Sequence, residues 1–261
     1  MAGLYIGVVL LAAAAYYLKK LTVSGALAAV VVGWCIAFGL GFYGLMVLAI
    51  FFITSSMWSS LWRGRKASDV IEKGDRRDAW QVAANGGVAA LMALFYGFNP
   101  SPIWIFAFVS SLAAANADTW ASEIGTLSRQ RPLHILTWKR VEPGTSGAIT
   151  ALGSAAAFAG SFLISVFAIL GWWSAYHNSH VLLIALTVVG FLGNIIDTLV
   201  GASFQVLYKC RECGIETEAT EHCGSQTEYM SGLKWLNNDV VNIACTASGA
   251  LLGIGVAWLL L

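Results

Sequence analysis

Charge is scarce in this chain: 11% of its 261 residues are Asp, Glu, Lys or Arg, against about a quarter in soluble domains. With 58% hydrophobic residues, that scarcity excludes a soluble protein with a large core and predicts an integral membrane protein. The net charge of +1 points to no partner, and nucleic acid is not expected. Basic residues are also missing from alternate connections. All fifteen Lys and Arg fall in four segments, 19–20, 63–77, 129–140 and 209–234. No basic residue precedes the first apolar run, and no A-x-A-like site leads into a polar start. A retained first helix is therefore expected rather than a signal peptide.

The apolar runs predict an all-α, polytopic transmembrane helix bundle of about eight spans. These are 2–18, 21–38, 42–62, 79–97, 102–123, 147–171, 181–207 and 238–261. The second and third are one apolar stretch that must be split at GLGFYG, between Gly39 and Gly44. With eight spans every basic loop has the same parity, so the positive-inside rule makes that side cytoplasmic and puts both termini on the non-cytoplasmic side. The whole of 1–261 reads as one transmembrane domain, with 208–235 a cytoplasmic cysteine-containing loop within it.

Within this apolar frame, AAANADTWASEIG (113–125) stands out. A carboxylate at membrane depth costs roughly 2.5–3.5 kcal/mol and usually faces inward to a function. At helical spacing Asn116, Thr119 and Glu123 share one face, with Asp118 about 100° to the side, so the four can surround one ion or polar group. GNIIDTLVGASFQ carries Asn194, Asp197, Thr198 and Gly201 on one face. NNDVVN supplies Asn238, Asp239 and Asn242, and the fourth span begins with Gln81 and Asn85. The topology puts all of these just under the cytoplasmic surface. A single Asn in a bundle is explained by bonding to a neighbouring helix. Three aspartates at one level would cost on the order of 8 kcal/mol uncompensated, which a divalent cation offsets. Oxygen-only ligands favour Mg²⁺, held by Asp118, Asp197 and Asp239.

Two cytoplasmic segments suit a phosphate. EPGTSG, with Gly144, Thr145, Ser146 and Gly147, is read as a turn opening the sixth helix, its N–H groups free for an anion; it also reads as an ordinary N-cap. Lys73, Arg76 and Arg77 lead into the helix of Asn85, although positive-inside anchoring alone can explain basic residues there. Separately, Cys210-x-x-Cys213 and His222-Cys223, in a loop assigned to the reducing cytoplasm, read as a tetrahedral, structural Zn²⁺ knuckle or as free thiols.

KGDRRDAWQVAANGG, ANADTWASEIG, VEPGTSGAIT, GNIIDTLVGASFQ and WLNNDVVN, in that order from Lys73 to the C-terminus, resemble the integral-membrane family that includes chloroplast phytyl-phosphate kinase. The resemblance implies Mg²⁺-dependent transfer of a phosphoryl group from a nucleoside triphosphate, CTP in related prenol kinases, to an isoprenyl or phytyl monophosphate. The family motif positions carried onto this chain are Lys73, Arg77, Asn85, Asn116, Asp118, Thr119, Glu123, Gly144 to Gly147, Asp197 and Asn238 to Asn242. Phosphoryl transfer asks mainly for positioning and charge neutralisation. The expected catalytic set is Asp118, Asp197 and Glu123. Nucleotide and acceptor are expected on Lys73, Arg76, Arg77, Asn85, Asn116, Thr119, Asn194, Thr198, Asn238, Asn242 and the Gly144 to Gly147 turn, at a site facing the cytoplasm with the lipid tail between helices.

Two other classes compete. An ion-coupled transporter would also use Asp and Asn on paired Gly-interrupted helices, but near the midplane. A lipid-binding scaffold would need no clustered carboxylates.

Overall fold

The computed structural model describes residues 2–61 and 76–261. It is mostly helical. The order is α1 (Ala2–Tyr17), α2 (Val23–Leu61), α3 (Ala79–Phe98), α4 (Pro102–Gly125), α5 (Ala151–Ala168), α6 (Ser179–Phe204) and α7 (Asn238–Leu260), with short strands in two connections. A single π-helical turn, Ile169–Trp173, extends α5. Five helices among the described residues are long and apolar enough to cross a membrane: α2, α3, α5 with its π turn, α6 and α7.

A straight helix of 39 residues would hold its ends about 58 Å apart. Yet Lys20 Nζ reaches Ser60 Oγ, so α2 folds back on itself. The reversal is at Gly41, whose φ of 59° and ψ of −140° lie where a side chain is rarely tolerated. Two rods result, 23–40 and 42–61, divided inside the stretch that the sequence required to be split. The first runs parallel to α3: Leu21 bridges Arg77, Gly86 meets Val32, and Gly97 meets Phe38.

The rods have two ends. At one, Phe38 meets Phe98, Tyr43 meets Trp172, and the Tyr176 hydroxyl reaches Leu260 O. At the other lie the 18–22 hinge, the start of α3 and the 126–150 and 205–237 connections, joined by Ser59 to Glu123, Thr150 to Gly125 O and Ser146 to Gln205. Every described Lys and Arg is at this second, basic end.

Helix α4 is the axis, packing against α2, α3, α5, α6 and α7. Its residues from Ile105 to Ala117 are all buried, so it is sheathed by neighbours on every side. Small residues permit the approach. A Cβ at Gly193 of α6 would sit 2.6 Å from Ala114 Cβ, and one at Gly249 of α7 would sit 2.8 Å from Ser110 O.

Two boundaries differ from the sequence reading. The sixth span does not open at Gly147. Thr150 caps α5, its hydroxyl accepting from Gly153 N, while β2 (Ala148–Ile149) pairs with β1 (Leu133–His134). The seventh span ends at Phe204, because the chain turns at once into β3 (Leu207–Lys209), which pairs with β4 (Glu216–Thr217) and β7 (Glu228–Ser231). The cysteine loop is thus a small β unit on a helical bundle. A hairpin of β5 (Glu221–His222) and β6 (Ser225–Gln226) completes it, turning through Cys223 and Gly224, both at positive φ, as a two-residue hairpin favours.

Candidate functional site

The close packing of α4, α6 and α7 through Ala113, Ala114, Gly190, Gly193 and Gly249 brings their polar residues together one turn nearer the basic end. There Asn194 Nδ2 donates to Asp118 Oδ1 at 3.2 Å, and the carboxyl groups of Asp118 and Asp197 come within hydrogen-bonding reach of each other. Oδ1 of Asp197 is shut off from solvent and has no hydrogen-bond partner among the described residues. Cys245 of α7 is within electrostatic range of both aspartates, and Glu218 of the cysteine loop is within range of Asp197. Each aspartate lies about two turns before the end of its helix, at Gly125 and Phe204, hence about 10 Å inside the basic end.

Two carboxylates side by side with an orphaned, desolvated oxygen fit a hard divalent cation: oxygen ligands only, and a lone pair left for a metal bond. Thr119 and Thr198 flank the pair, their hydroxyls donating back to Ala115 O and Asn194 O. Asp239 is buried and lies two turns before Thr246, on the stripe of α7 that meets Ala84 of α3. Asn242 is half-buried one turn on. Asn238 is exposed, and it is Asn237 that caps the helix, accepting from Val240 N.

The other residues of the 113–125 stretch face elsewhere, and the idea that four of them ring one ion is corrected. Asn116 is fully buried with its amide committed, donating to Gly160 O at 2.8 Å and accepting from Thr54 Oγ1 at 3.2 Å. It joins α4 to α5 and α2. Glu123 accepts from Ser59 Oγ at 2.6 Å and lies within electrostatic reach of Arg77. The Arg77 guanidinium donates to Ser56 Oγ at 3.3 Å and lies 5.5 Å from the Phe52 ring centroid. Arg77 and Glu123 thus form a second polar cluster, against α2, on the opposite flank of α4 from Asp118. Arg76 is exposed, and Asn85 donates back to Gln81 O. Lys73 lies outside the described residues.

Gly144 to Gly147 makes no helix N-terminus, which removes the dipole argument for a phosphate there. Thr145 bonds back to Glu142 O, and Ser146 Oγ lies 2.9 Å from Gln205 Oε1. Gly147 packs against Ala202, where a Cβ would collide. The turn holds the 126–150 connection onto the end of α6.

The four knuckle residues are brought together. One ligand atom from each of Cys210, Cys213, His222 and Cys223 lies within 4.8 Å of all the others. His222 Nδ1 is 3.4 Å from Cys213 Sγ and 3.2 Å from Cys223 Sγ, close to the edge of about 3.5 Å that a tetrahedron of Zn–S and Zn–N bonds requires. The backbone N–H of Cys213, ahead of the opposing effect of burial, brings the Cys210 thiol down to about 6. The neighbouring Cys213 thiol, with burial, pushes the Cys223 thiol the other way, up to about 11, and a metal takes both as thiolates.

Two features carried no distinct sequence signal. Glu218 comes within electrostatic range of Asp197 through the fold of the cysteine loop. The hydroxyl run of the second α2 rod, Thr54 to Ser60, is visible as a polar patch in an apolar stretch, but its partners are not.

The chain as a whole falls in a known class of integral membrane proteins. The chain belongs to the family described as integral membrane protein DUF92, which matches residues 6–250. It is 30% identical over 257 residues to an uncharacterised membrane protein of Methanocaldococcus jannaschii, covering 96% of this chain and 93% of that one. It is 31% identical to Protein PGR of Arabidopsis thaliana (89% and 88% covered) and 28% identical to the chloroplastic protein VTE6 of the same plant (90% and 64% covered). No solved structure matches the chain.

Proposed function

We propose that this protein is a membrane phosphotransferase that moves the terminal phosphoryl group of a nucleoside triphosphate, CTP foremost, onto an isoprenyl or phytyl monophosphate, giving the diphosphate. The observation that carries the reading is the Asp118–Asp197 pair with its unpartnered, desolvated oxygen, supported by membership of the family and the kinship with VTE6. Asp118 and Asp197 would hold Mg²⁺, which when bound neutralises phosphate charge. Asn194 orients Asp118 through its amide. The acceptor is itself a phosphate monoester, so its oxygen attacks the γ-phosphorus as the bond to the β-phosphate oxygen breaks, with no strong base required. Arg76 supplies a cationic contact at the basic end, a role for which the sequence also offers Lys73. Arg77 acts through Glu123 and α2.

In this reading the eight helical rods are eight spans, the basic end is cytoplasmic and both termini lie outside. The lipid tail lies between helices with its head at the level of Asp118. The depth of the pair, about 10 Å inside one end, favours chemistry at a surface over a transport site at the midplane.

The test is incubation of the purified protein with Mg²⁺, each of the four triphosphates and a panel of prenyl monophosphates, resolving lipid products by mass. A diphosphate formed with CTP is expected. No diphosphate from any pairing, together with cation-driven solute uptake into vesicles, would transfer the site to the transporter class.

A further inference from the structure

The connection from α6 to α7 folds without a hydrophobic core of its own. Between Tyr208 and Trp235 the buried residues are Cys210 and Thr217, at 2% and 0% exposure, while Ile215, Tyr229, Met230, Leu233 and Trp235 are exposed. Its five strands are two to four residues long, and hairpins that short are marginal in water. So small a unit depends on a disulfide or a metal. The buried cysteine marks where that cross-link lies.

Two tight turns converge there. Cys210 N donates to Ile215 O and Gly214 N donates to Cys210 O, closing the Cys210-x-x-Cys213-Gly214 turn with Gly214 at a φ of 73°. The β5–β6 turn brings His222 and Cys223 in from the other side, with His222 O 3.8 Å from Cys210 Sγ. Cys223 sits at a φ of 53°, where a side chain costs free energy, and from there its sulfur lies 3.2 Å from His222 Nδ1. That imidazole nitrogen is also 3.4 Å from Cys213 Sγ, and the four ligand atoms all lie within 4.8 Å of one another. A disulfide would join two of the sulfurs and leave the third and the imidazole without a role. A tetrahedral ion takes all four. Three thiolates and one imidazole, with no oxygen donor, suit Zn²⁺ rather than Mg²⁺ or Ca²⁺. Four protein ligands close the coordination shell and leave no position open to substrate.

We propose that Cys210, Cys213, His222 and Cys223 bind one structural Zn²⁺, and that this ion folds the β unit of residues 207–231 that joins α6 to α7 at the basic end. The chain entering the unit and the chain leaving it run against each other: Val206 N donates to Leu236 O and Leu233 N donates to Phe204 O, and a Cβ on Gly232 would lie 2.1 Å from Gln205 O. Metal binding at the far end of the unit is therefore folding free energy for the link between two helices. The inference stands apart from the phosphotransferase reading, because it uses neither Asp118 nor Asp197.

The test uses the full-length protein purified in detergent without chelator. Elemental analysis should find one zinc per chain, and Co²⁺ exchanged into its place should show the intense visible bands of a tetrahedral ion together with thiolate charge transfer. Cys213→Ser and Cys223→Ser should each lose the metal, whereas Cys35→Ser, in α2, should keep it. Stripping zinc from the folded wild type with a zinc-selective chelator in excess Mg²⁺ should speed amide hydrogen exchange across residues 207–231 and leave that of α4 as it was, a readout that needs no variant to fold. Asp197→Asn should keep its zinc while losing Mn²⁺, the paramagnetic stand-in for Mg²⁺ at the aspartate pair. Mn²⁺ retained in that variant counts against the phosphotransferase reading and leaves the zinc site standing. Protein without zinc, or with Cys210 and Cys213 joined as a disulfide, overturns the site. Zinc that survives both Cys213→Ser and Cys223→Ser, or is lost in Asp197→Asn, lies elsewhere and overturns the ligand assignment. Hydrogen exchange in 207–231 unchanged by zinc removal overturns its folding role.

Discussion

Asn194 and Asp118 meet across the α4–α6 interface, amide to carboxylate at 3.2 Å, and they do so because the helix bearing Asn194 has no side chain at the position before it. A Cβ on Gly193 would lie 2.6 Å from Ala114 Cβ, and Ala114 has no flexible tip to yield. Small residues at one level are thus the condition for charged ones at the next.

Gly193→Ala should therefore damage the site through the backbone. Separating α4 and α6 lengthens the Asn194 to Asp118 bond and loosens the aspartate pair. The expected outcome is a melting temperature lowered by the equivalent of about 1–3 kcal/mol and weaker Mn²⁺ binding than wild type. Gly87→Ala, whose Cβ would meet nothing within 4 Å, is the control and should change neither quantity.

Arg77 was expected to bind phosphate, and its surroundings give it another task. Its guanidinium is wedged between Phe51, Phe52, Ser56 and the field of Glu123. Arg77→Ala would leave Glu123 buried without that compensating charge. The cost is on the order of 2 kcal/mol, below the range for a fully buried pair because Arg77 is half-buried. The double variant Arg77→Ala with Glu123→Gln should regain part of that loss, as melting curves in the absence of substrate would show. A purely substrate-binding Arg77 would leave those curves unmoved.

These two residues show what was legible and what was not. The carboxylates of Asp118 and Asp197 stand out because an apolar helix has no other reason to carry them. The direction of each polar residue in α4 was not legible, since a helix buried on every side gives no apolar face from which to orient the rest. Asn116 therefore read as part of the site, although it serves helix packing. Gly144 to Gly147 misled for a local reason. Thr145, Ser146 and Thr150 are all plausible caps in sequence, and only Thr150 has its hydroxyl on the N–H three residues ahead. The approach of Glu218 to within electrostatic range of Asp197 was not legible, because strand register inside the 208–235 loop is set by tertiary pairing and not by periodicity. The division of α2 was legible because the glycines at 39, 41 and 44 interrupt a stretch too long for one crossing.

The sidedness of the rods can be checked directly. A cysteine introduced at Asn99 or Asn178, both at the end without Lys or Arg, should react with an impermeant thiol reagent applied to intact cells. One introduced at Ser128, in the connection after α4, should react only after permeabilisation. Reaction at Ser128 in intact cells would place the basic end outside and invert the topology.

The decisive variants are Asp118→Asn and Asp197→Asn. The amide keeps the volume of each side chain and removes a charge whose burial opposes folding, so the metal-free protein should melt at the same temperature or higher. Asn194 can still donate to the amide oxygen at position 118, which keeps the α4–α6 contact. Phosphoryl transfer should fall by at least about 10³-fold in each, because neither variant can hold the cation that neutralises the transferring group. Stabilisation by Mg²⁺ with nucleotide should vanish as well, since only ligand bound to the native state raises its apparent stability. Asn116→Ala should behave in the opposite way: it removes the side-chain donor to Gly160 O and one of the partners of Thr54, costs about 1 kcal/mol of bundle stability and spares the ligand-dependent shift. If either aspartate variant turns over at the wild-type rate and keeps that shift, the pair is a packing feature and the cation lies elsewhere in the bundle.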